Sequence, residues 1–278
     1  MTTVELLELL WRDYVAAAPQ AQEIHAILTG RGEILCNDHV ALRAFAVPEI
    51  GGDAIARPFA ELGWRPGERY EFPGGLQARA WQHDDPVLPR VLISELVIEQ
   101  LSPPARAVIR SLVDQLPAGF GERSDLPWAG RPWRMAYGDY QVLRAESAYA
   151  AWVAAFGFLV NHFTIDAGAL STFPDLAALG AFLVEHGFAL DDCGGTSHGS
   201  CGERIERAAT RPDPVAVEFA DAVARVPSCH YELVRRYPMP SGELFAGFVA
   251  ASAGGVDEGL SLFRASPSSS HSVRPLLR

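Results

Sequence analysis

The residues with the most chemical potential are two histidines, His39 and His162, each set in a stretch that reads as a β-strand. In Asn37-Asp-His-Val-Ala-Leu-Arg-Ala-Phe45 alternate residues share a face, so His39, Ala41 and Arg43 lie together, with Val40, Leu42 and Ala44 opposite. His162 lies in Phe158-Leu-Val-Asn-His-Phe-Thr-Ile165, whose other residues are mostly apolar. A histidine turned into a protein interior needs a polar partner, because an unsatisfied buried polar group costs about 1–3 kcal/mol. A divalent metal would satisfy two such imidazoles at once. A third, anionic ligand is then expected, and Glu232, Glu95 and Glu218 all lie on strand-like segments. Two histidines and one carboxylate on one face, with open positions opposite, suit Fe(II) and O2. A hydrogen-bonded core residue is the commoner fate of a lone strand histidine. Ligands this far apart also leave no spacing signature of the H-E-x-x-H kind.

Arg43 is the next informative residue. It shares its strand face with His39, about 13 Å further along at ~3.3 Å per residue. An inward arginine is costly unless an anion pairs with it, and its planar fork suits a carboxylate held through two hydrogen bonds. That anion is either a substrate carboxylate or a structural partner such as Glu95 or Glu218. Other chemistries find less support. The loop Cys193-Gly-Gly-Thr-Ser-His-Gly199 has no Gly-Lys-Ser/Thr and no helix start after it, so it reads as a covering loop rather than a phosphate cradle. No G-x-S-x-G elbow marks a serine nucleophile. His83, His186 and His271 fall in polar, helix-end or tail contexts and read as surface residues, while His198 and His230 stay open.

These residues must be positioned by a fold, and punctuation divides the chain into two similar stretches. Helical periodicity over 3–30 ends at Gly30-Arg-Gly32. The His39 strand follows, then a helix over 50–62 and strands near 67–72, 76–83 and 90–98: one β-α-β-β-β unit. A helix is expected over 103–116, and 149–152 reads as helix leading into the next strand. Residues 117–148, rich in Gly, Pro and Trp, carry no clear pattern. The second unit runs from the His162 strand through a helix over 175–187 to strands near 203–209, 215–219 and 230–234. Each unit opens on a histidine-bearing strand and closes on Glu-Leu-Val, at 95–97 and 232–234. The expectation is an α+β fold in a single domain over 1–264, with pseudo-repeats over about 33–98 and 157–236 and flanking helices. Residues 242–263 read as helical with a Gly-Gly break, and 265–278 as a disordered tail.

Composition narrows the function classes. The chain has 278 residues, 49% of them hydrophobic, enough for a sizeable core. Its formal charge of −11 argues against nucleic acid as a partner. No apolar run is long enough to span a membrane. The N-terminus has no basic region before its leucines and reads as an amphipathic helix rather than a signal peptide. The four cysteines, Cys36, Cys193, Cys201 and Cys229, form no C-x-x-C pair. Without a secretory signal, reduced thiols in the cytoplasm are the default, although Cys193 and Cys201 flank one loop and could pair.

Several segments together resemble the 2-oxoadipate dioxygenase/decarboxylase family, long catalogued as a domain of unknown function. They are Asn37–Phe45, Ile93-Ser-Glu-Leu-Val97, Ser147-Ala-Tyr-Ala-Ala-Trp152, Asn161-His-Phe-Thr-Ile165 and Tyr231-Glu-Leu233, in the family's order and spanning about 40–235. The resemblance implies a vicinal-oxygen-chelate-like fold in which paired β-α-β-β-β units curl into a half-open β-barrel around a metal. It implies Fe(II) held by His39, His162 and Glu232, in preference to Glu95, and a substrate carboxylate held by Arg43. Members of the family convert 2-oxoadipate and O2 to 2-hydroxyglutarate and CO2 in lysine breakdown. The chain departs from the family pattern at His198, where a lysine usually follows the glycines, over 208–213, and at Leu233, where an aromatic is usual. His198 therefore becomes a candidate substrate contact in the lysine's place. The alternatives are another substrate for the same chemistry, a non-oxidative metal-dependent isomerase, lyase or hydrolase of the same fold, and a non-catalytic metabolite-binding protein.

Overall fold

A computed structural model describes residues 1–191 and 198–248, with the His198 side chain outside the described set. The chain opens on α1 (Thr3–Ala17), started by a reciprocal capping box between Thr2 and Glu5. The single helix expected over 3–30 is two helices, because Pro19 lacks an N–H and disfavours helical backbone at the residue before it. Ala18 turns the chain at φ −134°, ψ 66°, and α2 (Pro19–Gly30) restarts with the proline at its first position.

The first unit then follows as expected: β1 (Asn37–Phe45), α3 (Gly52–Glu61), β2 (Arg65–Phe72), β3 (Leu76–Gln82) and β4 (Arg90–Leu96). Helix α4 (Pro103–Val113) leads into the stretch that lacked a pattern, which holds short 3-10 turns and α5 (Tyr137–Glu146). Next come α6 (Ala148–Phe156), β5 (Val160–Asp166), α7 (Leu176–Glu185), β6 (His198–Ser200), β7 (Ile205–Ala209), β8 (Pro214–Glu218), β9 (Val223–Pro227) and β10 (Glu232–Arg236). Gly157 ends α6 at φ +66°, where a Cβ would stand 2.3 Å from the Gly130 carbonyl oxygen, so no other residue fits that turn.

Eight strands form one curled half-barrel sheet in the order β2-β3-β4-β1-β5-β10-β7-β6. The order is pseudo-symmetric about the antiparallel β1–β5 pair. Each of those strands runs parallel to the closing strand of its own unit, β4 or β10. One sequence expectation fails here. The strand near 215–219 does not join the second unit's sheet; as β8 it pairs with β9 in a separate two-stranded hairpin inserted between β7 and β10. A second correction concerns 242–248. The backbone there is turn and extended chain, with Gly242 at φ +89° and a bridge between Pro238 and Leu244, so the expected helix does not begin there. The rest of that expected helix, the tail over 265–278 and Cys193 lie outside the described residues. Cys36, Cys201 and Cys229 are free thiols. No described helix is long and apolar enough to cross a membrane.

The helices cover the outer face of the sheet. Phe163 of β5 meets Trp11 and Tyr14 of α1 at ring-centroid separations of 5.1 and 5.2 Å. Buried Glu33, before β1, ties the two units together by accepting from the backbone N–H and the hydroxyl of both Ser171 and Thr172 at 2.6–3.0 Å. These bonds, led by the Thr172 hydroxyl, hold its pKa down at about 2, from 4.5. A depressed carboxyl stabilises the fold above its unfolded pKa and loses that contribution as pH falls through the folded one. The melting temperature of the wild type should therefore converge on that of Glu33→Gln between about pH 4.5 and pH 2. A gap between the two proteins that stays constant across that window would contradict this role.

Candidate metal centre

Register brings the candidate residues together. On the central strands His39 pairs with Thr164, and on the other side of β5 Thr164 pairs with Glu232. His39, Thr164 and Glu232 thus form a row across β1, β5 and β10, at the ~4.8 Å strand spacing. His162 lies two residues before Thr164 on the same face. The two flanking side chains reach over the small threonine toward each other. One donor atom from each of His39, His162 and Glu232 lies within 4.8 Å of the others, and all three residues are buried.

Two β-bulges aim the imidazoles. The β1–β5 register slips between Asn37 and His39, where Asp38 is extra, and again between Ala41 and Leu42, where Asn161 is extra on β5. A bulged residue escapes strict alternation, so each extra residue can reach its own neighbour. Asp38 Oδ1 lies 2.8 Å from His39 Nδ1, and Asn161 Oδ1 lies 3.0 Å from His162 Nδ1. Each oxygen accepts the Nδ1 proton, which leaves both Nε2 atoms with lone pairs. Glu232 Oε2 lies 3.2 Å from His39 Nε2 and 3.5 Å from His162 Nε2. It also accepts the Thr164 hydroxyl proton at 2.8 Å.

With both histidines as Nδ1–H tautomers, three lone-pair donors face one another in a buried site. Such a set is repulsive unless a cation sits among them, and imidazole plus carboxylate fits a divalent transition metal. At His39 a proton on Nε2 can play the cation's part. Burial pulls the His39 imidazolium down, but hydrogen bonds and charge from Asp38 and Glu232 outweigh it and raise its pKa. Burial opposes the Glu232 carboxylate, yet His39 and His162 hold it well below the usual carboxylate range. Burial and the neighbouring His230 keep His162 neutral.

Of the rival carboxylates, neither joins the cluster. Glu95 pairs with Ala44, five residues past His39, whereas Glu232 pairs with Thr164, two past His162. The odd difference in register puts Glu95 on the opposite face, where it accepts from the Gly52 N–H at 2.5 Å and holds the start of α3. Glu218 lies exposed at the end of β8, outside the main sheet. Arg43 is buried on β1, its guanidinium 5.0 Å from the Tyr149 ring centroid and 5.4 Å from that of Trp152, both on α6. On β6 the backbone of His198 pairs with that of Arg207 on β7.

Several residues around the site escaped the sequence reading, namely Asp38, Asn161, Thr164, Arg236 and Phe248, while His230 was left open. His230 is buried, its ring tilted 33° against that of His162 at 4.5 Å, and is held neutral by burial, its pKa lowered to about 4. For Asp38 and Asn161 a signal did exist, since each is an oxygen-bearing residue directly before a strand histidine.

No family model matches the chain. Two curated proteins do. The chloroplastic/amyloplastic 2-oxoadipate dioxygenase/decarboxylase of Oryza sativa subsp. japonica is 29% identical over 250 residues, 82% of this chain and 67% of the relative. The chloroplastic 2-oxoadipate dioxygenase/decarboxylase of Arabidopsis thaliana is 30% identical over 226 residues, 74% of this chain and 60% of the relative. The chain therefore spans 67% and 60% of the lengths of these two relatives. Among solved structures, a protein of Shewanella frigidimarina NCIMB 400 presented as a hydrolase superposes with a TM-score of 0.85 at 39% identity, covering 89% of this chain and 97% of that one. The hydroxyglutarate synthase of Oryza sativa, solved with 2-oxoadipate, superposes with a TM-score of 0.80 at 28% identity, covering 85% and 81%. A glyoxalase superfamily protein of Ralstonia eutropha JMP134, with a TM-score of 0.67 at 23% identity and coverage of 87% and 84%, shares the vicinal-oxygen-chelate-like fold.

Proposed function

The chain belongs to the 2-oxoadipate dioxygenase/decarboxylase family, and on that premise we propose that it is an Fe(II)-dependent dioxygenase that decarboxylates a 2-oxo dicarboxylic acid such as 2-oxoadipate. The reaction consumes one O2 and gives CO2 and the 2-hydroxy acid one carbon shorter; for 2-oxoadipate, 2-hydroxyglutarate, so that all atoms balance. The observation that supports this reading most is the convergence of His39, His162 and Glu232 within 4.8 Å, with each histidine Nδ1 hydrogen-bonded to an oxygen of the residue before it. In the proposed roles these three residues hold the metal. Fe(II), when bound, supplies the one-electron chemistry that lets O2 react with a 2-oxo acid.

The chain's own groups do the rest. Asp38 and Asn161 fix the tautomer and ring angle of the two histidines. Thr164 occupies one face of Glu232 Oε2 and restrains the carboxylate. Arg43 offers its planar fork to a substrate carboxylate, with the Tyr149 and Trp152 rings keeping water from the guanidinium. His198, whose side chain falls outside the described residues, is the proposed second substrate contact. Because the substrate carries its own 2-oxo acid, no separate oxo-acid cosubstrate is needed. Iron kept ferrous suits the reducing cytoplasm.

The test is O2 uptake by protein reconstituted anaerobically with Fe(II), against 2-oxoadipate and a panel of other 2-oxo acids. Uptake that requires both iron and one of the acids is expected. Stoichiometric iron with no uptake on any of them would overturn the oxygenase reading in favour of non-oxidative metal chemistry.

A further inference from the structure

Arg236, at the end of β10, is buried and directs its donors two ways. Its Nε and Nη2 donate to Asp38 Oδ2 and Oδ1 at 2.6 and 2.9 Å, a two-point grip on the carboxylate that sets the His39 ring. Its Nη1 donates to the carbonyl oxygens of Phe245 and Gly247 at 2.8 and 2.6 Å. The segment so held carries Phe248. That ring meets His39 edge-on at 4.9 Å, Tyr70 at 6.0 Å, and the Arg236 guanidinium itself at 5.5 Å. One side chain therefore joins the support behind a proposed metal ligand to the segment that walls the site in front of it.

We propose that Arg236 is a positioning residue that couples the orientation of the His39 imidazole to the seating of residues 245–248 over the metal centre. The inference rests on the metal site proposed above, but not on the identity of the substrate. The fork is what makes the link. Lysine has three donors on a single nitrogen and cannot span two carboxylate oxygens and two carbonyls at once. Arg90, which also reaches Asp38 Oδ2 at 3.2 Å, is only partly buried and would leave Asp38 charged but poorly aimed. Coupling of this kind is reciprocal. Metal at His39 must favour the seated segment to the same degree that the seated segment favours metal.

The experiment uses the full chain and Co(II) alone, whose visible absorption reports ligand geometry. Arg236→Met and Arg236→Lys should each weaken Co(II) binding by about 10–100-fold, the usual cost of disturbing a group behind a metal ligand, and should change the band shape. In the wild type, Co(II) should slow hydrogen exchange at the amides of 245–248. In Arg236→Lys that slowing should be lost even where Co(II) is raised to saturation. A role confined to general stability would not move exchange with metal occupancy. Wild-type affinity and spectrum in both variants would overturn the coupling, as would unchanged 245–248 exchange in the wild type, a measurement that needs no variant to fold. A wild-type chain that takes up no Co(II) would instead overturn the metal centre, and this inference with it.

Discussion

Glu232→Ala abolishes Fe(II)-dependent O2 uptake and weakens metal binding by more than the roughly 10–100-fold typical of outer groups, while the chain stays folded. On the proposed ligand set, the variant removes the one carboxylate among the described donors, and two neutral imidazoles hold a divalent ion poorly. The fold survives because the orphaned Thr164 hydroxyl has a second acceptor, His39 Nε2, at 3.2 Å. Glu95→Ala is the control. It should keep metal and activity but lose stability by about 0.5–2 kcal/mol, the range for a lost helix cap, because Glu95 holds the Gly52 N–H that starts α3. Metal titration and thermal melts of the two variants separate the roles. Metal retained in Glu232→Ala and lost in Glu95→Ala would reverse the ligand assignment.

Arg43→Lys should keep the metal and raise KM for a dicarboxylate by about 10–100-fold. A hydrogen bond to a charged group contributes about 1.5–3 kcal/mol, and each 1.4 kcal/mol is tenfold. Lysine keeps the charge but not the second bond of the fork. The metal donors are untouched, so Co(II) affinity should stay at the wild-type value. Unchanged KM and kcat would make Arg43 a structural cation packed on Tyr149 and Trp152.

Much of this site was legible in the sequence, for reasons that are local. Alternation along Asn37–Phe45 put His39 and Arg43 on one face, and both are buried, as is the rest of β1 from His39 on. Glycine and proline punctuation placed most elements within a few residues. The failures share a different cause: register and pairing are non-local. Val215–Phe219 has the alternation of a sheet strand, and nothing in that pattern says whether its partner is the main sheet or a peripheral hairpin. The two Glu-Leu-Val segments look equivalent in the sequence, yet the register of each closing strand against its opening strand differs by an odd number of residues, so the glutamates face opposite ways. Only the family resemblance favoured Glu232. The oxygen-bearing residue before each histidine is visible in the sequence, but the bulges at Asp38 and Asn161 that let adjacent strand residues share a hydrogen bond are a matter of register and are not. Arg236 reads as a charge at a strand end until Asp38, close to 200 positions away in the chain, is seen against it.

The most direct test of the central claim is CO2 release from 2-oxoadipate labelled at its first carbon, measured with the Fe(II)-loaded chain in the presence and absence of O2. An O2-dependent decarboxylation at the His39–His162–Glu232 centre predicts labelled CO2 in equal amount to the O2 consumed, and none under anaerobic conditions. Labelled CO2 released without O2, or O2 consumed without it, would contradict the account.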